Sequence, residues 1–124
     1  MTCWVVETYP VGESAVPTYQ ALMEDIHRTL RAERDQVPEL LSYRTFTADP
    51  TGALRKFVEV FEFADEEDRQ RFFARLAQPG QLRALADRCH EIVPEVALET
   101  WSGFLPEEWL VRSTGDSEGN RQLP

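Results

Sequence analysis

Three glutamates interrupt apolar, β-branched runs in which a charge is costly. They are Glu7 within CWVVETY, Glu59 within LRKFVEVFEF and Glu99 within VALETWSGF. Carboxylates gathered in a partly buried site repel one another, so at least one of them takes a raised pKa. A carboxyl tuned in this way is a general base for a proton α to a carbonyl, or for a phenol. It is also a ligand for a divalent cation. The plainer reading is that the three acids pair with arginines or reach solvent. His27 borders an apolar stripe made by Met23 and Ile26, and is either a proton shuttle or a boundary histidine without a task. His90 follows Cys89 and reads as a surface residue.

The candidate substrate-binding side chains are Tyr43, Arg44, Phe61, Phe72 and Trp101. The aromatic members suit a planar apolar ligand, although such side chains also fill cores and interfaces. Tyr43 and Trp101 each add a polar handle. Arg44 faces Glu59 across a hairpin, and Phe46 faces Phe57, if Ala48 stands opposite Arg55. No GxGxxG, phosphate-binding loop or HExxH is present, so nucleotide and zinc-protease chemistry have no support. No Ser–His–Asp or Cys–His arrangement can be inferred. Cys3 and Cys89 lack metal-ligand spacing, and neither a metal site nor a cofactor is expected.

The elements that position these residues follow from periodicity. Residues 3–9 read as a strand, and either Trp4, Val6 and Thr8 or Val5, Glu7 and Tyr9 form its inward set. Ser14 is expected to cap a helix, with Pro17 in the first turn. Tyr19, Leu22, Met23, Ile26 and Leu30 mark that helix's apolar face. Glu24 with Arg28 and Arg31 with Asp35 stand at i, i+4 on its outer face. Pro38 stops the helix near residue 36. Residues 41–47 and 54–63 form a hairpin around Asp49-Pro50-Thr51-Gly52. Asp65 opens a second helix whose first turn carries Glu66, Glu67 and Asp68. Pro79-Gly80 breaks that helix into two pieces, and residues 96–104 are the last strand.

The order β-α-β-β-α-β predicts an α+β, ferredoxin-like subunit. Right-handed crossovers give an antiparallel four-stranded sheet of order 4-1-3-2 with both helices on one face. Cys3 and Cys89 then lie too far apart to bridge, which predicts two free thiols. Phe57, Glu59, Phe61 and Phe63 are assigned to the face away from the helices, with Val58 and Val60 toward them. On the last strand Val96 and Leu98 are assigned inward, with Glu99 and Trp101 outward. The outer face would then be an apolar patch, which is expected to be covered by a second copy of the chain.

The length of 124 residues suits one domain, assigned to residues 1–112. Residues 113–124 read as a disordered tail, whereas Trp109, Leu110 and Val111 are apolar enough to pack on this subunit or a partner. Lys plus Arg number 13 against 22 Asp plus Glu, for a net charge of −9. That balance disfavours a phosphate-tracking surface, so nucleic acid is not an expected partner. No apolar run approaches a membrane span and the start lacks the features of a signal peptide, so the expected location is the cytoplasm.

Residues 57–93, FVEVFEFADEEDRQRFFARLAQPGQLRALADRCHEIV, resemble the antibiotic biosynthesis monooxygenase-like family of dimeric α/β barrels. The shared features are an aromatic, acid-rich strand, an acidic helix start and an apolar second helical piece. The resemblance implies a homodimer whose sheets face each other, with a small apolar cavity per subunit between sheet and helices. Some members of the family oxidise polycyclic aromatic substrates without metal or cofactor, and others cleave haem through a helix histidine. Here Arg75-Leu76-Ala77-Gln78-Pro79-Gly80 puts Arg75 and Gly80 where family members often carry histidines, which speaks against haem. The implied function is a cofactor-independent monooxygenase acting on a small apolar or aromatic metabolite. The alternative is a non-catalytic protein for small-molecule binding or dimerisation.

Overall fold

The computed structural model describes residues 2–48, 54–93 and 95–111. The elements run β1 (Cys3–Gly12), α1 (Val16–Ala32), β2 (Leu40–Ala48), β3 (Leu54–Phe63), α2 (Glu66–Leu76), α3 (Gln81–Ile92) and β4 (Ala97–Ser102). Short 3-10 turns cover Glu13–Ala15, Arg34–Gln36 and Glu107–Trp109. The sheet is antiparallel, of order β2-β3-β1-β4. This is the ferredoxin-like α+β arrangement predicted from the element order, with its second helix in two pieces.

Local chemistry explains most boundaries. Asp65 caps α2 by accepting a hydrogen bond from the Asp68 N–H at 2.8 Å. Glu66, Glu67 and Asp68 follow at the positive end of the helix. Ser14 does not cap α1. A 3-10 turn intervenes, and the N-cap is Ala15, without a side-chain bond. Pro17 still falls in the first turn, where its missing N–H leaves no gap. The helix ends at Ala32, short of residue 36. β1 runs on through Pro10, which lies past the last residue paired with β4, so no ladder bond on that edge is lost.

Two expectations about faces are overturned. Phe57, Glu59, Phe61 and Phe63 are all buried and point toward the helices, not away from them. Phe63 packs on Phe72 of α2 with ring centroids 5.4 Å apart, and Phe57 packs on Tyr19 of α1. β3 is apolar on both faces, so parity alone does not orient it. The larger aromatic set takes the helix side because more apolar area is removed from water there. β1 follows with Val5, Glu7, Tyr9 and Val11 inward, in register with β3.

The hairpin register is also one residue away from the expected one. Arg44 pairs with Val60, Thr45 with Glu59 and Ala48 with Lys56. A shift of one residue moves every side chain to the other face. Arg44 and Phe46 therefore stay on the face away from the helices while Glu59 and Phe57 turn toward them, and the expected pairing of Arg44 with Glu59 does not form. The turn at 49–52 and the tail at 113–124 lie outside the described residues.

The face opposite the helices remains apolar, with different members from those expected. Trp4, Val6, Val58 and Val60 form its middle, and the exposed Phe46 and Trp101 flank them. Leu98 pairs with Glu7 and so lies on the helix side as expected, yet it stays exposed because β4 is an edge strand beyond the reach of the helices. Phe104, Leu105, Trp109, Leu110 and Val111 are all exposed, and Glu107 holds this segment to Thr2. Cys3 and Cys89 are both free thiols. Among the described residues, no helix is long and apolar enough to cross a membrane.

Candidate functional site

β1 and β3 place Glu7 directly opposite Glu59 on the helix side of the sheet. Glu59 is only 5% exposed, and its neighbours explain how a buried carboxylate is tolerated. Tyr9, diagonal to it on β1, donates to Oε2, and Tyr43 on β2 donates to Oε1 at 2.5 Å. Hydrogen bonds to a charged acceptor are strong, and they offset much of the cost of burying it. Tyr9 has a single hydroxyl hydrogen, which goes to Glu59. Tyr19 on α1 therefore donates to the Tyr9 oxygen, at 2.6 Å. Burial, followed by the charge of Glu59, pushes the Tyr9 and Tyr43 phenols well above their usual range, and burial does the same to Tyr19. All three remain protonated donors at any physiological pH.

Glu7 has a different environment. Burial first, and then the charge of Glu59, push its carboxyl up to about 7. No hydrogen bond offsets this shift among the described residues. The two carboxyls thus divide into one whose oxygens both accept from tyrosines and one whose proton is exchangeable near neutral pH. They face a cavity of about 70 Å³ between sheet and helices. Its apolar lining includes Phe61, Phe72, Leu82 and Leu85, and Cys89 and His90 also line it. Burial pushes the Cys89 thiol up to about 12, so it is a neutral lining group rather than a nucleophile.

The predicted site residues separate cleanly by face. Glu7, Glu59, Tyr43, Phe61 and Phe72 converge on the cavity. Glu99 does not. It lies on the opposite face and accepts from the Trp101 indole at 3.0 Å. Trp101 and Arg44 are likewise remote from the cavity, because β4 and the hairpin register turn them away. His27 stands beside the cavity rather than in it. Its ring packs on Tyr43 with centroids 4.6 Å apart, and Nε2 lies 3.2 Å from Thr45 Oγ1. Burial lowers its pKa, which keeps the imidazole neutral. His90 is exposed and also lines the cavity.

Tyr9 and Tyr19 were not among the candidates. The signal for Tyr9 was its parity with Glu7, which places both on one face once strand 1 is oriented. Tyr19 looked like an ordinary member of an apolar helical stripe. Arg75 holds the buried Glu39 at 2.5 Å and keeps that carboxyl below its usual range. It ties α2 to the start of β2 and does not enter the cavity. Among the described residues no cluster of three or more metal-ligating side chains occurs.

No protein-family model matches the chain, and no curated protein matches it. Solved structures do. A NIPSNAP family protein from Agrobacterium tumefaciens aligns over 88% of this chain and 96% of its own, at 17% identity and TM-score 0.63. A mutant of SnoaB, a cofactor-independent oxygenase from Streptomyces nogalater, aligns over 85% and 95%, at 14% identity and TM-score 0.59. A dimeric protein of unknown function and ferredoxin-like fold from Bacteroides fragilis aligns over 82% and 96%, at 11% identity and TM-score 0.61. At these identities the likeness establishes the fold alone, that of a ferredoxin-like α+β subunit.

Proposed function

We propose that this protein is a proton-abstracting enzyme of the cofactor-independent oxygenase kind, acting on a small apolar or aromatic metabolite. The observation that carries the reading is the direct pairing of Glu7 with Glu59 at the cavity floor, with Glu7 titrating at about 7. A base is most effective when its pKa lies near the working pH. Both oxygens of Glu59 are engaged by tyrosines, so Glu7 is the carboxyl free to accept a proton. It takes that proton from an activated C–H or a phenol O–H, leaving an anion in an apolar cavity. Tyr43 lines the same cavity, with its single hydroxyl hydrogen committed to Glu59.

The electron-rich anion is the reductant, and dioxygen is the co-substrate. When a ring CH₂ becomes a carbonyl, one oxygen atom enters the substrate and the other leaves as water. The substrate supplies all four electrons. The likeness of fold to a cofactor-independent oxygenase supports this reading.

The reading includes a homodimer formed through the open sheet face. Trp4, Val6, Phe46, Val58, Val60 and Trp101 make that face apolar, and a sheet face left in water should be mostly polar. A second copy covers it most simply. Light scattering at micromolar concentration should give twice the monomer mass, and a monomer would remove this part of the reading.

One observation favours the alternative of small-molecule binding without turnover. The cavity of about 70 Å³ is below the ~300–1,000 Å³ of most ligand pockets. A cavity of about 150 Å³ is known to admit benzene, so a ring enters here only if Leu82 and Leu85 move outward. The deciding experiment follows exchange of activated C–H for deuterium by NMR, using a panel of small phenols and cyclic ketones. Exchange should rise through pH ~7 as Glu7 ionises, and should be lost in Glu7→Gln. Exchange unaffected by that substitution refutes the catalytic role. A panel that binds without exchanging supports the alternative.

A further inference from the structure

A second concavity lies beside the first, with Tyr43 and Leu30 as shared walls. It measures about 270 Å³ and opens between the end of α1 and β2. His27, Arg31 and Arg34 line one side, with Val37, Leu40 and Tyr43 opposite. His27 and Arg31 stand at i, i+4 on α1, and Arg34 follows in the 3-10 turn just past its end.

The charge of this stripe is unbalanced. Elsewhere on the helices Arg28, Arg69, Arg71, Arg75, Arg83 and Arg88 each lie within ion-pair distance of a carboxylate. Arg31 and Arg34 have no such partner among the described residues. The sequence spacing offers Asp35 to Arg31, but α1 ends at Ala32, and the i, i+4 geometry ends with it. In a chain of net charge −9, two uncompensated guanidiniums beside one cleft are an unusual concentration of positive potential. The field of Arg31 is felt at His27, where it acts with burial to keep the imidazole neutral.

Tyr43 and Leu30 stand between the cleft and the cavity. The Tyr43 ring has His27 on the cleft side, at 4.6 Å between centroids, and Phe61 on the cavity side, at 4.9 Å. Its hydroxyl ends on Glu59. A molecule lying along Tyr43 would meet acidic acceptors at one end and guanidinium donors at the other.

We propose that this cleft is an anion subsite, in which Arg31 and Arg34 hold a carboxylate of the substrate whose apolar, proton-donating end enters the cavity at Glu7 and Glu59. The inference rests on the proton-transfer reading above, and it narrows the substrate class to amphiphilic acids. A guanidinium suits the anionic end because its planar fork matches a carboxylate with two parallel hydrogen bonds. The carboxyl-lined cavity would repel the same group, so the orientation is set by charge.

The test compares 4-hydroxyphenylacetate with 4-methylphenol, which share a phenol and differ in the carboxylate. Titration calorimetry at low salt should show the acid binding about tenfold tighter. The advantage should shrink on raising salt from ~50 mM to ~500 mM. It should vanish in the double substitution Arg31→Gln, Arg34→Gln and persist in Arg88→Gln, which removes a charge outside the cleft. 4-Methylphenol should bind the wild type and all these variants alike. An equal affinity for the two probes, an advantage that survives the double substitution, or no binding of either probe overturns the proposal. Glu7→Gln separates this proposal from the proton-transfer reading, because loss of that acceptor should weaken both probes by the same factor. Arginine-dependent binding of the acid with no effect at Glu7 would retain the subsite and remove the catalytic assignment.

Discussion

Replacing Glu7 with glutamine should remove a pH dependence of stability. The unfolded chain ionises this carboxyl near 4.5, whereas the folded chain holds the proton to about 7. Between those values the folded state binds more protons, so stability falls as pH rises. The penalty is absent below pH 4.5, where both states are protonated, and complete above about 7, where both are ionised. At about 1.4 kcal/mol per tenfold difference in proton affinity, the interval amounts to about 3 kcal/mol. Burial is the larger cause and the charge of Glu59 the smaller, so Glu59→Gln should recover only the lesser share.

The assay is guanidinium unfolding of wild type and Glu7→Gln at pH ~5 and ~8, at one protein concentration because a dimer makes stability concentration-dependent. Between the two pH values the wild type should lose about 2–3 kcal/mol more than the variant. The slopes are compared rather than the absolute values, because the amide brings its own burial cost. Equal pH dependence in the two proteins would refute the reasoning, since Glu7 would then titrate alike in the folded and unfolded states.

Other perturbations test the surrounding structure. Tyr9→Phe removes one donor from the buried Glu59 and should cost about 1–3 kcal/mol by urea unfolding. Tyr19→Phe, which takes a donor only from Tyr9, should cost less. Asp65→Ala leaves the first turn of α2 without its cap and should cost about 1 kcal/mol. Cys89, with its thiol near 12, should react with a disulfide reagent at pH ~8 far more slowly in the folded than in the denatured protein. Trp101→Glu alters an exposed side chain of the open sheet face and should convert a dimer to monomer on size exclusion without changing the monomer's helix content.

Much of the fold was legible in the sequence because its signals are local. Asp65 with three following acids announces a helix start, Pro79-Gly80 announces a break, and β-branched runs announce strands. Combined with the handedness of crossovers, element order leaves few topologies, and strand order β2-β3-β1-β4 is among them. The presence of Glu7 and Glu59 on adjacent strands followed from that topology. Their shared face did not, because β3 is apolar at odd and even positions alike and a period of two then carries no orientation.

What only the tertiary structure decided is which face the helices cover. That choice depends on the summed burial of Phe57, Phe61, Phe63 and Phe72 against α1, α2 and α3, which no local window contains. It places Glu59 among Tyr9, Tyr19 and Tyr43, sends Glu99 to the other side, and gives Arg44 no carboxylate to face. The end of α1 at Ala32 also separates Arg31 from Asp35, a pair that spacing alone would have joined. Residue types and their order determine the elements and their connections. The site exists only where long-range packing selects a face and a register, because one residue of register, or one choice of face, reassigns every side chain on a strand.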